Sequence, residues 1–295
     1  LVLGLLALAM VCCAVASRRG GPAERVPSAS VPGAGSGETG LPVPSRAPQL
    51  EDPLCLEGCP EPAMNASRKH KNQIVRRNIY VISNNPETKF ADWAAYRFSR
   101  DTIGKSKRTR WKADPEIPPE ATLEPEDYRG AHRVLGTDRG HVVPLATLSA
   151  SPDAAALNYL SNCTPQKSAL NQQAWNRLES AARRLARSEG VQSVYGMTGP
   201  LYERAMPLLP WADEAHQVPS GYFKILALTQ EGKVEVAAFV LDQETAGGDS
   251  FCDHQITVSE IESRTGLDFF VGLPDLQEAA LEGRIGELAR RLGCQ

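Results

Sequence analysis

The sequence predicts a mixed α/β (α+β) fold, on three observations. Apolar, β-branched or aromatic runs of strand length recur at 74–82, 89–98, 191–198, 221–228 and 234–241; residues 168–187 carry a clean helical period; and Gly, Pro and Asn clusters separate them. The run 74–82 reads as a first strand, ended by Asn84-Asn85-Pro86, and 89–98, with Phe90, Trp93, Tyr96 and Phe98, continues it as a hairpin. Residues 113–130, with Pro115, Pro118, Pro119 and Pro125, read as irregular chain. A turn feeding a short strand is expected over 138–145, and a second short strand over 157–162.

In the helix 168–187, at ~100° per residue, Leu170, Ala174, Leu178, Ala181 and Leu185 form one stripe, and Asn171, Trp175, Glu179 and Arg183 form the adjoining flank. The stripe holds the helix down and the flank is free to face a cleft. Gly199-Pro200 and Glu231-Gly232 break the later strands, and helices are expected over 258–265 and 276–292.

Residues 1–16 are uncharged, apolar and end in Ala14-Val15-Ala16, which reads as a secretory signal peptide. No Met or basic stretch precedes them, so the reading is of a signal entered partway through. An uncleaved anchor is short for a membrane span, and Cys12 and Cys13 lack the small neighbour that lipid attachment needs. No stable membrane association is expected after cleavage. Residues 17–52, rich in Pro, Gly and Ser, read as a flexible linker, and 53–295 as the folded domain of a secreted protein.

Cys55, Cys59, Cys163, Cys252 and Cys294 remain after the signal. For an exported chain the natural reading is a local Cys55–Cys59 bridge, a long-range Cys252–Cys294 bridge and a buried free thiol at Cys163. The rival is a zinc site on Cys55, Cys59 and His70, which has no obvious fourth ligand.

The formal charge is −3, and beyond residue 50 the chain carries 28 basic against 33 acidic residues. That excludes a general polyanion sponge; nucleic-acid binding has to come from a local basic surface. One exists: Arg97, Arg100, Lys105, Lys107, Arg108, Arg110 and Lys112 face only Asp101 within 97–112. In isolation such a run is as readily a solvated loop.

Asp138-Arg139-Gly140-His141 is followed thirty residues later by Asn171 and then by Glu179, with Ser161-Asn162 and Trp175 between. The spacing reads as a one-metal nuclease site. Phosphodiester hydrolysis needs a neutral imidazole to take a proton from water and a divalent cation to neutralise charge on the phosphate and leaving oxygen.

Together with Leu157-Asn158-Tyr159-Leu160-Ser161-Asn162, Pro165-Gln166-Lys167-Ser168, Leu170-Asn171-Gln172, Thr198-Gly199-Pro200-Leu201-Tyr202-Glu203-Arg204, Thr265-Gly266-Leu267 and Gly272-Leu273-Pro274, this motif resembles the DNA/RNA non-specific endonuclease family. The resemblance includes a secreted member and runs from about Cys55 to the C-terminus. The resemblance implies a central antiparallel sheet flanked by helices with a ββα-metal motif, and Mg²⁺-dependent cleavage of DNA and RNA to 5′-phosphate products, with Mn²⁺ as a substitute. By the same resemblance His141 is the general base, Asn171 the sole direct metal ligand, Glu179 the acid orienting waters around the metal, and Arg183 an arginine near the phosphate.

Asp138, Arg139 and Asn162 shape the site, Asn162 as a substrate contact. The family's basic-loop arginine falls at Thr109 in an ungapped alignment. A one-residue loop adjustment brings either Arg108 or Arg110 to that place; Arg108 is favoured for the phosphate, with Arg110 as a substrate contact. Val142-Val143 and Cys163 also depart from the family pattern. His70, His132, His216 and His254 read as structural or exposed. A homodimer is implied by the relative. The rivals are a catalytically weak nucleic-acid-binding protein of the same fold, and a phosphodiesterase for small diesters, which would make little use of the basic run.

Overall fold

The computed structural model describes residues 52–64, 71–105 and 110–295. The expected signal segment 1–16, the expected linker up to residue 51, His70 and Arg108 lie outside the described residues.

In chain order the strands are β1 (Glu61–Pro62), β2 (Gln73–Arg76), β3 (Val81–Asn84), β4 (Ala91–Phe98), β5 (Thr137–His141), β6 (Cys163–Lys167), β7 (Val194–Leu201), β8 (Gly221–Gln230), β9 (Lys233–Asp242), β10 (Gln255–Ile256) and β11 (Leu267–Asp268). The helices are α1 (Ala131–Leu135), α2 (Leu145–Leu148), α3 (Asn176–Ala186), α4 (Val258–Thr265), α5 (Asp275–Glu282) and α6 (Leu288–Leu292). Seven strands form one antiparallel sheet in the order β10-β9-β8-β7-β4-β3-β2, while β5–β6 and β1–β11 are separate antiparallel pairs.

Both faces of the large sheet are covered. Tyr222, Leu226, Phe239 and Tyr96 pack with Leu178, Ala181 and Leu185 of α3 and Leu288 and Leu292 of α6. The alternate residues Phe223, Ile225, Ala227 and Ala238 pack with Val258 and Ile261 of α4, Leu281 of α5, and Phe269 and Phe270. Burial on both faces explains why β8 reads as the near-continuous apolar run Gly221-Tyr222-Phe223-Lys224-Ile225-Leu226 rather than as an alternation. The helix α4 spans the expected residues because Thr257 accepts the Glu260 amide at 3.1 Å and Gly266 closes it at φ 65°.

Five expectations need correction. The break expected at Gly199-Pro200 is absent: β7 runs through both, pairing Gly199 with Phe223 and Pro200 with Tyr222. The single strand at 74–82 is a hairpin, β2 and β3, turned at Arg77–Tyr80 by the bond from Arg77 N to Tyr80 O. The strand expected at 157–162 is a pair of 3₁₀ turns, Ala154–Asn158 and Leu160–Asn162, and the partner of β5 is β6. There the side chain of Asn162 captures backbone groups that a strand would leave to a ladder, with Oδ1 accepting from Val143 N at 2.7 Å and Nδ2 donating to Val143 O and Leu157 O.

The helix 168–187 opens as a π-helix, Leu170–Trp175, before becoming α3. The helix expected at 276–292 is two, because Gly286 lies where an added Cβ would sit 1.8 Å from Val236 O, an approach an uninterrupted helix cannot make.

Cys55–Cys59 and Cys252–Cys294 are disulfides and Cys163 is a buried free thiol, so the zinc alternative falls. Among the described residues no helix is long and apolar enough to cross a membrane.

Candidate active site

The strands β5 and β6 followed by the π-turn and α3 form a ββα unit. Strand register sets His141 opposite Cys163 and Asp138 opposite Gln166. Gly140 is needed there, because a Cβ would come 2.4 Å from Gln166 Oε1.

His141 Nε2 lies 3.4 Å from Asn158 Oδ1, and its ring packs on Trp111 at a centroid distance of 4.6 Å. A carbonyl oxygen only accepts, so Nε2 carries the hydrogen and Nδ1 keeps the lone pair. Burial pushes the imidazole down to about 4, against the opposing Asn158 contact, and it is therefore neutral near pH 7. A neutral imidazole with a fixed tautomer is the form a general base requires.

Asp138 gathers four donors on its carboxylate: Ser168 Oγ at 2.8 Å and His132 Nδ1 at 3.2 Å on Oδ1, Asn171 Nδ2 at 3.0 Å and Gln172 Nε2 at 2.8 Å on Oδ2. Burial alone would raise its pKa; the hydrogen bonds from Asn171, Gln172, Ser168 and His132 outweigh burial and hold it below the usual carboxylate range. Because Asp138 is ionised and accepts only, it dictates the flip of Asn171. The amide nitrogen is consumed and Oδ1 is left as a hard, neutral oxygen donor.

Glu179 lies in the next turns, with Oε1 4.0 Å from Lys224 Nζ and Oε2 3.7 Å from Arg183 Nη1. Those separations are too long for hydrogen bonds, so the carboxylate keeps acceptor capacity. Burial pushes Glu179 up, opposed by Lys224 and Arg183; burial likewise pushes Lys224 down to about 8, opposed by Glu179. Lys224 is 1% exposed, donates to Tyr96 Oη at 3.2 Å and sits 4.6 Å over the Trp175 ring. Buried Trp175 Nε1 and Arg183 Nη1 beside it have no hydrogen-bond partner.

A family model for the DNA/RNA non-specific endonucleases matches residues 62–276. The chain belongs to the DNA/RNA non-specific endonuclease family. It is 46% identical over 242 residues to the nuclease of Serratia marcescens, an alignment covering 82% of this chain and 89% of that protein. It is 31% identical over 185 residues to human mitochondrial endonuclease G, covering 57% of this chain and 59% of the relative. A solved EndoG chain from an EndoG/EndoGI complex superimposes with a TM-score of 0.61 at 23% identity, over 70% of this chain and 89% of that one, a likeness of fold. As a member of the non-specific endonuclease family the chain is a nuclease, a hydrolase of nucleic acid.

The structure brings Asp138, His141, Asn171, Glu179 and Arg183 into the ββα unit. Asn162 is different: it is fully buried and its amide is spent on backbone, so it positions the chain after His141 and offers nothing to substrate. Trp175, expected on the cleft-facing flank, is buried under Tyr222 and Lys224. Arg139 donates to Pro125 O at 2.8 Å and lies over the Tyr128 ring, and Arg183 donates to Ser180 Oγ at 2.8 Å.

The basic run divides. Arg97 bonds Ser193, and Arg100 caps the end of α3 at Arg187 O, while Trp111 reaches His141 and Arg110 is exposed. His132 is exposed as expected, yet touches Asp138. Trp111, Asn158, Gln172 and Lys224 were missed. Lys224 had a readable signal, a lone cation within an apolar strand; the others had none beyond proximity to motif residues.

Proposed function

We propose that this chain is a secreted, Mg²⁺-dependent endonuclease that hydrolyses DNA and RNA to 5′-phosphate products. The observation that carries the reading is the Asp138 carboxylate holding Asn171 Nδ2, which turns the amide oxygen into the available ligand beside a neutral His141. The donor set fits Mg²⁺: one hard oxygen from Asn171, a carboxylate with spare lone pairs at Glu179, and no competing sulfur or nitrogen cluster at this site. Mn²⁺, which also takes oxygen donors, is a substitute.

When bound, the cation supplies charge neutralisation at the phosphate and the departing oxygen. His141 Nδ1 takes the proton from the attacking water, with Nε2–H anchored on Asn158. Glu179, held between Lys224 and Arg183, orients water near Asn171. Arg139 and Arg183 supply positive charge at the margin of the phosphate, exposed Arg110 adds to it, and Arg108 is proposed as the arginine that stabilises the phosphate. Contacts of this kind engage phosphate rather than base edges or the sugar, which accounts for activity on both nucleic acids. Export is supported by the apolar segment ending at Ala16 and by two disulfides.

The test is cleavage of closed circular DNA and a structured RNA with Mg²⁺ or with excess chelator, beside His141→Ala. Metal-dependent loss of both substrates, abolished by the substitution, is the expected result. Binding without cleavage by the unaltered protein refutes the reading in favour of a binding protein of the same fold.

A further inference from the structure

Beside the ββα unit, on the Arg139 side of β5, lies a cleft of about 490 Å³ that shares Asp138 and Arg139 with the mechanism above and extends past them to Arg129 and Trp111, to which that mechanism gives no role. Trp111, Tyr128, Arg129, His132 and Arg139 line it. Trp111 is shared, since its indole packs on His141 while also walling the cleft, so the cleft opens next to the general base. Arg139 lies 5.2 Å from the Tyr128 centroid and Arg129 lies 5.3 Å from that of Trp211. Trp211, 57% exposed, extends an aromatic margin outward from the cleft.

Neither guanidinium makes an ion pair among the described residues. The carboxylate at the rim, Asp138, is already committed to its four donors. A cavity of this size, with an aromatic wall and two guanidinium groups that lack a carboxylate partner among the described residues, matches a ligand with a flat π face and a negative charge. Apolar peptides would leave the guanidinium groups unpaired, and a bare phosphate would leave most of the volume and the aromatic wall unused.

We propose that this cleft seats the nucleotide adjoining the scissile phosphate, its base against the Trp111 wall and its outer phosphate on Arg129. The proposal rests on the nuclease reading and adds a substrate subsite to it. Stacking is indifferent to base identity because every base has a π face, so such a subsite grips substrate without imposing a sequence preference.

The experiment compares the full chain with Arg129→Glu, Arg129→Lys and Arg133→Glu, the last reversing an exposed charge of α1 that does not line the cleft. Three readouts are taken: KM and kcat on a short oligonucleotide, hydrolysis of bis(p-nitrophenyl) phosphate, and binding of a nucleoside 5′-monophosphate followed by tryptophan fluorescence in chelator. Arg129→Glu is expected to raise the oligonucleotide KM by about tenfold or more and to weaken mononucleotide binding in parallel. It should leave kcat and the nucleoside-free diester unaffected, with Arg129→Lys restoring most of the loss and Arg133→Glu behaving as the parent.

Equal effects of Arg129→Glu and Arg133→Glu would reduce the result to general surface charge and overturn the subsite. So would an active parent whose Arg129→Glu variant is indistinguishable from it. An inactive parent that still binds mononucleotide through Arg129 would sink the nuclease reading and leave the cleft standing.

Discussion

Replacing Lys224 by Met removes a buried ammonium without emptying its space, and the consequence falls on Glu179. At 4.0 Å, with an effective dielectric near 20, the lost Coulomb attraction is about 4 kcal/mol as a ceiling. Methionine returns part of this, because the ammonium no longer has to be desolvated, while Glu179 is left with Arg183 alone. The expected net loss of stability is about 2 to 3 kcal/mol.

Adding Glu179→Gln should recover most of that stability and none of the activity, giving a coupling energy above roughly 1 kcal/mol in the double-mutant cycle. Without the ammonium, burial raises the pKa of Glu179 further, so the acidic limb of the pH–rate profile moves to higher pH. Urea unfolding of the four proteins at pH 7, below the Lys224 pKa of about 8, with initial rates of plasmid cleavage across pH, gives both quantities. A Lys224→Met protein as stable as the parent with an unmoved acidic limb would refute the reasoning.

Three further outcomes are expected. The folded pKa of His141, about 4, lies below its unfolded value near 6.5, so its contribution is present above pH 6.5 and is lost as pH falls toward 4. The full loss is about 3 kcal/mol, and chelated His141→Gln should lack this part of the acid destabilisation in chemical melts. Asp138→Asn replaces an anchor that only accepts with an amide that cannot serve all four donors. It should raise the Mg²⁺ concentration for half-maximal cleavage about 10- to 100-fold with little change in fluorescence-monitored folding. Replacing Cys252 and Cys294 by Ser opens a loop of sequence separation 42 and should cost about 2 to 4 kcal/mol; an unchanged thermal midpoint would contradict this.

What the sequence disclosed depended on how local each signal was. The helix α4 was legible because Thr257 and Gly266 are chemical end-markers, and α3 because its apolar stripe repeats. The residues proposed as metal ligand and base rest on a motif rather than on periodicity. Asn162 was misassigned because a polar residue within a motif looks available until burial and three backbone partners are known. The split of 276–292 turned on the approach of Gly286 to Val236, a contact across fifty residues that no window along the chain contains. Lys224 stands out as a lone cation within an apolar strand, but its role depends on Glu179, which no window around β8 contains.

The π-turn at Leu170–Trp175 makes chain length itself a functional quantity. It holds one more residue per hydrogen-bonded turn than an α-helix, and it lies between β6 and Glu179. Such a turn takes up one extra residue while the helix on either side of it keeps nearly its phase. Asn171 lies inside the turn and Glu179 beyond it, so the turn sets how Asn171 Nδ2 meets Asp138 while the apolar stripe of α3 stays seated. The loss of one residue there would be felt at the Asp138–Asn171 contact before it was felt in the packing of α3.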